Sequence, residues 1–297
     1  MVRGGGKRWV SMATVGYVLS TRLGALAIVG LCAAAAAPAL ADNDAPIIAL
    51  APHRAIYDLK LADTHKRSLE AVRGRIVYDF SGNACDGYEL RFRQVTELDS
   101  GEGKAAVSDL RSTTWEDGAA KNFRFTSQNY LNDDIVDSVD GHAERQSDGV
   151  TVDLTKPEAK KTDLGDVVFP AEHMRRVIAS ARAGKTILEV PIFDGSETGE
   201  KVYNTLTVIG HKLAADAKKP DDPTASEKTL ADMPRWPVTI SYFDKSKTES
   251  GEQTPVYSIH FELLENGISR AVSLDYGDFS IAGEMTSLEL KDVKPCK

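Results

Sequence analysis

Apolar and polar residues alternate with period two along most of this chain, which is the signature of strands with one face buried and one face wet. Ala55, Tyr57, Leu59 and Leu61 alternate with Ile56, Asp58 and Lys60. Val72, Ile76, Tyr78 and Phe80 alternate with Arg73, Arg75 and Asp79, and Tyr88, Leu90 and Phe92 with Glu89, Arg91 and Arg93. Phe123 and Phe125 follow, then Val150, Val152 and Leu154. Further strands are predicted over 188–193, 202–209, 238–243, 257–263, 268–276 and 279–290. Turn signals separate them: Ser81-Gly82-Asn83, Asp117-Gly118, Asp140-Gly141, Asp148-Gly149, Asp194-Gly195, Asn266-Gly267 and Tyr276-Gly277-Asp278. Asn-Gly and Asp-Gly favour tight hairpins because they tolerate positive φ. Many half-buried strands with little helix between them predict a mainly β fold, an antiparallel barrel or wrapped sheet.

Two segments break the alternation. Over 170–183, Met174, Val177, Ile178 and Ala181 fall at i, i+3, i+4 and i+7. Pro170 suits a first helical turn and Gly184 a stop, so one amphipathic helix is predicted, packed across a sheet or into a barrel mouth. The stretch 214–234 contains Lys218-Lys219-Pro220-Asp221-Asp222-Pro223 and few large apolar residues. It is read as a long exposed loop within one domain of residues 42–297.

The N-terminus changes the picture of where this domain works. Arg3, Lys7, Arg8 and Arg22 precede an uncharged apolar run from Leu23 to Ala37, followed by Pro38 and Ala39-Leu40-Ala41. That is a secretory signal peptide, residues 1–41, with cleavage expected after Ala41. A retained anchor is disfavoured because the run is short and rich in alanine, and no other stretch approaches membrane length. The mature chain is therefore expected to be soluble, with no membrane span. Losing the four basic residues of the peptide takes the net charge from −8 to about −12. Such a balance argues against nucleic acid or anionic headgroups as partners.

Three cysteines are present. Cys32 falls in the discarded peptide, and the preceding Leu31 is not the small residue a lipoprotein signal needs. Cys85 and Cys296 remain; in an exported protein such a pair most simply forms a disulfide, the alternative being two free or intermolecular thiols. Neither lies in a CxxC motif, which argues against redox catalysis and against a cysteine-rich zinc site.

Candidate chemistry is sparse. The six histidines, His53, His65, His142, His173, His211 and His260, form no HExxH motif. His53 is in phase with the apolar face of its strand and is read as a satisfied core or rim residue. His173, beside Glu172, is read onto the polar face of the helix. Asn132-Asp133-Asp134 with Asp137 and Asp140 lacks the spacing of a calcium loop and is read as a strand with solvated carboxylates turning at Asp140-Gly141. There is no G-x-S-x-G, no S-x-x-K and no phosphate-binding loop. Trp115, Trp236, Phe123 and Phe125 are read as ordinary core residues. Arg73, Arg75, Arg91 and Arg93 lie on the polar faces of two neighbouring strands; they form either a cationic strip for an acidic partner or a solvated face paired with acidic neighbours. No catalytic, metal or cofactor residues are assigned.

Several strings resemble one family. Ala51-Pro52 leads into His53-Arg54-Ala55-Ile56-Tyr57-Asp58-Leu59, and Gly74-Arg75-Ile76-Val77-Tyr78-Asp79-Phe80 is followed by Cys85-Asp86-Gly87-Tyr88. Thr114-Trp115-Glu116-Asp117-Gly118, Phe169-Pro170-Ala171-Glu172-His173-Met174 and a closing Pro295-Cys296 complete the set. Together they resemble the EipB family of alphaproteobacterial periplasmic cell-envelope integrity proteins, formerly a domain of unknown function. The resemblance implies a single β-spiral, an open and strongly bent barrel with one associated helix. It implies periplasmic localisation, envelope maintenance together with a periplasmic tetratricopeptide-repeat protein, and the disulfide at Cys85 and Cys296. The expected function is non-enzymatic, through protein contacts. A carrier holding a lipid or lipoprotein acyl chain in the open barrel is the rival, since incompletely closed barrels leave an apolar interior. A cell-wall hydrolase is a third class, because assembled sites leave no local motif.

Overall fold

In the computed structural model of the chain, the described residues are 48–297 apart from 65–68, 102, 104, 215, 219, 221, 222, 225–227, 247–252, 294, 295 and 297, with the side chains of 63 and 64 also set aside. The expected signal peptide lies outside them. Alternation becomes strands: β1 (His53–Thr64), β2 (Ala71–Asn83), β3 (Gly87–Asp99), β4 (Ala106–Glu116), β5 (Asn122–Leu131), β6 (Asp134–Gln146), β7 (Gly149–Lys156) and β8 (Lys160–Gly165). Helix α1 (Pro170–Arg182) follows, then β9 (Ile187–Ile192), β10 (Tyr203–Ile209), helix α2 (Lys228–Ala231), β11 (Arg235–Asp244), β12 (Tyr257–Leu264), β13 (Ser269–Asp275) and β14 (Phe279–Leu290). All fourteen strands join one sheet in the order β8-β7-β6-β5-β4-β3-β2-β1-β14-β13-β12-β11-β10-β9. Every neighbouring pair is antiparallel, and the register of β1 joins the two ends of the chain, Ala55 opposite Leu288 on one side and Tyr78 on the other.

The sheet is open, so it has two edges to protect. At one edge, Val168 bridges Ile192 of β9 in parallel, with Val168 N–H donating to Pro191 O (2.9 Å) and Phe193 N–H to Val168 O (3.0 Å). At the other edge β8 carries Lys160 and Lys161, and both Lys160 and Thr162 reach Glu200 in the loop after β9. That loop folds back onto the inner face of β5–β7. Phe123, Phe125, Val139, Val152 and Leu154 share a core with Phe169 and Phe193, which flank α1 and β9. Gly195 is required here: its φ is +71°, and a Cβ would lie 2.4 Å from the Phe125 ring. The two ends of the sheet thus overlap, and the strand roll becomes a spiral.

β4 and β8 escape the alternation rule because polar residues dominate both strands. β6 corrects the expected turn at Asp140-Gly141: the strand runs through these residues with a register shift. The turn sits at Asn132-Asp133, whose φ values of 50° and 71° give the primed hairpin geometry. The segment 214–234 likewise differs from a plain exposed loop. Leu230 on α2 is 1 % exposed and packs in the core of β1, β2, β13 and β14, beside Met285. One large apolar side chain suffices to dock a segment whose other residues are mostly polar.

The disulfide joins Cys85, in the β2–β3 turn, to Cys296, with a Cα–Cα distance of 5.7 Å. Asn83 Oδ1 shapes that turn by accepting the N–H groups of Cys85 (2.8 Å) and Asp86 (2.7 Å). The bridge closes a loop of 211 residue steps. Chain entropy makes such a cross-link worth about 5 kcal/mol. Cys85→Ser or Cys296→Ser, or reduction of the native protein, is expected to lower stability by several kcal/mol in denaturant titrations; a melting temperature indifferent to reductant would refute the structural role.

Candidate functional site

The site is the interior of the spiral. Helix α1 buries Ala171, His173, Val177, Ile178, Ser180 and Ala181, and its apolar stripe packs with Val190, Tyr203, Trp236 and Val238. Gly184, at φ +69°, ends it as expected. Below the helix lies a cavity of about 320 Å³, at the lower end of the range for ligand pockets, about 300–1,000 Å³. Its wall comes from both halves of the chain: Tyr57 of β1, Ile76 and Tyr78 of β2, Leu90 and Phe92 of β3, Phe123 of β5, Ile240 of β11, Ile259 and Phe261 of β12, and Val272 and Leu274 of β13. Most of these side chains are apolar. His53, Gln94, Thr114, Glu116, His173, Asn266, Ser269 and the tyrosine hydroxyls supply polar groups, and among the described residues the lining contains no lysine or arginine.

Glu116, at the end of β4, holds the helix in place. Its side chain is buried, and its two oxygens accept the N–H groups of Ala171 (2.6 Å) and Glu172 (2.8 Å). Those N–H groups are orphans of the first helical turn, and the carboxylate faces the positive end of the helix. The Arg175 guanidinium approaches at 3.4 Å. Burial nevertheless dominates and pushes the Glu116 carboxyl up to about 7. Arg145 of β6 adds a second tie, donating to Glu172 (2.7 Å) and to Ala120 O (2.9 Å), and Arg182 pairs with Glu265 (2.8 Å) in the β12–β13 turn. Glu116 is legible in the sequence only as part of a familiar string; its role as a cap depends on residues 55 positions away.

The histidines divide. His53 is 3 % exposed, donates Nδ1–H to Ala51 O (2.7 Å) and stacks on Tyr78 (5.3 Å), so its reading as a satisfied core residue holds. His173 is not on a polar face: it is also 3 % exposed and lines the cavity. Its Nε2 is buried without a hydrogen-bond partner. Burial, reinforced by Arg176, pulls its imidazole down to about 4. His65 lies outside the described residues. Among the described residues no group of His, Cys, Asp and Glu gathers as a metal site, and no helix is long and apolar enough to cross a membrane.

Of the remaining sequence candidates, only Phe123 reaches the lumen. Arg73, Arg75, Arg91 and Arg93 share the outer face of β2 and β3. Arg75 pairs with Asp58 (2.7 Å), Arg91 with Glu89 (2.7 Å) and Arg93 with Asp109 (2.9 Å), while Arg73 stands opposite Glu97. Phe123, Phe125 and Trp236 are core residues, and Trp115 is half-buried beneath the Arg124 guanidinium.

An open antiparallel spiral with an apolar interior and one clamping helix defines a barrel-like β-protein. The sequence pattern of the EipB-like family matches residues 44–292, and the chain belongs to that family. The cell envelope integrity protein EipB of Brucella abortus (strain 2308) is 38 % identical over 253 residues, covering 85 % of this chain and 88 % of that relative. The crystal structure of a beta-barrel-like protein of a domain of unknown function, also from Brucella abortus, superposes with a TM-score of 0.76 at 38 % identity, covering 82 % of this chain and 99 % of that one.

The Glu116 carboxyl makes stability depend on pH. Its folded pKa is raised, so its contribution is full below about 4.5 and is lost as pH rises through about 7. His173 acts oppositely, costing stability as pH falls from 6.5 through about 4. Glu116→Gln is expected to remove the first limb, changing the difference from wild type by up to about 3 kcal/mol between these limits. Parallel wild-type and E116Q profiles in urea titrations across pH 4–8 would show that Glu116 does not titrate in this window.

Proposed function

We propose that this protein supports cell-envelope integrity from the periplasm by holding an apolar chain, of a lipid or of a lipoprotein, inside the spiral. The observation that carries this reading is the 320 Å³ lumen, walled mainly by apolar side chains from nine strands and α1. Empty apolar volume costs stability, and closely packed cores normally eliminate it. A lumen walled mainly by apolar side chains, with no lysine or arginine among its described residues, suits an apolar chain. The Brucella relative's name supports the envelope role, and the signal peptide read from the sequence supports the compartment.

The test is mass spectrometry of an organic extract of the mature protein purified from periplasm. Lipid or acyl chain near one per protein is expected, reduced at least tenfold in Val272→Trp, which fills the lumen. A wild-type protein that is consistently empty, and that takes up no acyl probe, would remove this reading.

Protein contacts are the second reading, and one surface favours it. At the β5–β6 hairpin tip Leu131, Ile135 and Val136 are exposed, Ile135 by 58 % and Val136 by 50 %. Clustered exposed apolar groups mark interaction sites. A tetratricopeptide-repeat protein of the periplasm is the partner we propose for this tip. Pulldown with the mature protein is expected to recover it, and Ile135→Ser with Val136→Ser to reduce recovery severalfold; equal recovery by the double variant would move the contact elsewhere.

A further inference from the structure

On the outer face of the sheet, two cross-strand rows of side chains border a groove of about 670 Å³. The strand registers set the rows. Arg54 stands opposite Asp79, Asp79 opposite Arg91 and Arg91 opposite Thr113. Thr113 stands opposite Thr126, Thr126 opposite Asp140 and Asp140 opposite Lys156. This row takes one residue from each of β1 to β7, about 29 Å along the sheet at about 4.8 Å per strand. Beside it run Val77, Arg93, Arg111, Gln128 and Ser138, again each opposite the next. The middle of both rows is neutral: Thr113, Thr126, Gln128 and Ser138 carry hydroxyls and an amide, groups that both donate and accept. Arg91, Arg93 and Arg111 flank this middle on one side and Lys156 on the other.

The chain as a whole is acidic, at −8, yet this groove is positive. Two carboxylates along it are each shared by two cations: Asp79 by Arg54 (3.8 Å) and Lys291, and Asp109 by Arg93 (2.9 Å) and Arg111 (2.6 Å). Hydrogen bonds from Arg93 and Arg111 hold Asp109 down to about 2, so it stays charged and keeps both guanidiniums in place. The Arg111 guanidinium also lies over the Tyr130 ring, 4.5 Å from its centre. Both arginines are half-exposed and bond Asp109 through Nε and Nη2, which leaves Nη1 of each for an incoming anion.

Guanidiniums fixed in this way match the planar oxygens of a carboxylate. An acidic peptide would also want pockets for apolar anchors. The apolar residues lining the groove are Val77, Phe92 and Val139, and Val139 is buried. A planar membrane surface does not fit a concave groove, and the adjoining hairpin tip, with Asp133, Asp134 and Asp137, repels anionic headgroups. A polysaccharide whose units carry carboxylates offers hydroxyls to the neutral middle and anions to the flanks.

We propose that the outer groove of β1–β7 binds a linear acidic polysaccharide, with carboxylates on Arg93 and Arg111 and hydroxyls on Thr113, Thr126, Gln128 and Ser138. The site is independent of what the lumen holds.

The experiment is calorimetric titration of the mature, disulfide-bonded protein at pH 7.5 and low ionic strength. The probes are hexagalacturonate, neutral maltohexaose, hexaglutamate and phosphatidylglycerol vesicles. Hexagalacturonate is expected to bind about tenfold more tightly than maltohexaose or hexaglutamate, and to weaken severalfold as salt is raised. Arg93→Gln with Arg111→Gln is expected to weaken it about tenfold, through loss of charged hydrogen bonds. Thr126→Val with Gln128→Leu keeps every charge and is expected to weaken it about threefold. The second variant serves if the first, which strips Asp109 of its partners, folds poorly. Hexaglutamate bound as tightly as hexagalacturonate would make the groove an acidic-peptide site, and binding of the vesicles a headgroup site; either overturns the proposal. So does a wild-type protein that does not bind hexagalacturonate, or binding that both variants leave undiminished.

Discussion

The docking of α1 onto Glu116 is the interaction on which this architecture turns. A fourteen-stranded antiparallel sheet can roll, flatten or split, and strand pairing alone does not choose among these. The helix chooses. Glu116 receives its first N–H groups, Arg145 reaches Glu172 from β6, and Arg182 reaches Glu265 beyond β12. These ties come from opposite halves of the sheet and converge on thirteen residues. A carboxylate at a helix N-terminus is favourable, while its burial is costly, and the balance leaves Glu116 near neutrality in its affinity for a proton. The clamp is therefore strong in geometry and sensitive in charge.

Holding the sheet open has consequences at both edges and in the middle. The β9 edge is covered by the strand-like segment leading into α1, and the β8 edge carries lysines and an ion pair to Glu200. Both devices prevent edge-to-edge association. In the middle, the roll is wide enough to leave a lumen that the inward side chains do not fill. Engineered apolar cavities cost roughly 24 cal/mol per Å³, so a lumen of this kind is a standing expense against the stability of the fold. The Cys85–Cys296 bridge offsets some of it by restricting the unfolded chain.

The lumen and the hairpin tip are different kinds of surface. The lumen is mainly apolar and enclosed by both halves of the chain. The tip of β5–β6 is small, exposed and bordered by Asp133, Asp134 and Asp137. Acidic flanks disfavour anionic membrane surfaces. This fold keeps the two surfaces on separate elements.

The alternation of apolar residues, the helical stripe on 170–183 and the paired turn signals determined the fold class, the helix and most of the strands, because period and turn chemistry are local properties of the chain. The two cysteines and the order of the familiar strings determined the family. Tertiary structure alone decided the rest. Glu116 became a helix cap, His173 became a lumen residue and Leu230 became part of the core through neighbours far away in sequence. The turn near β6 moved from Asp140-Gly141 to Asn132-Asp133 because hydrogen bonds to Val107 fix the hairpin there. Burial, desolvation and the pairing of polar atoms depend on which distant surfaces meet, and no periodicity along the chain encodes that.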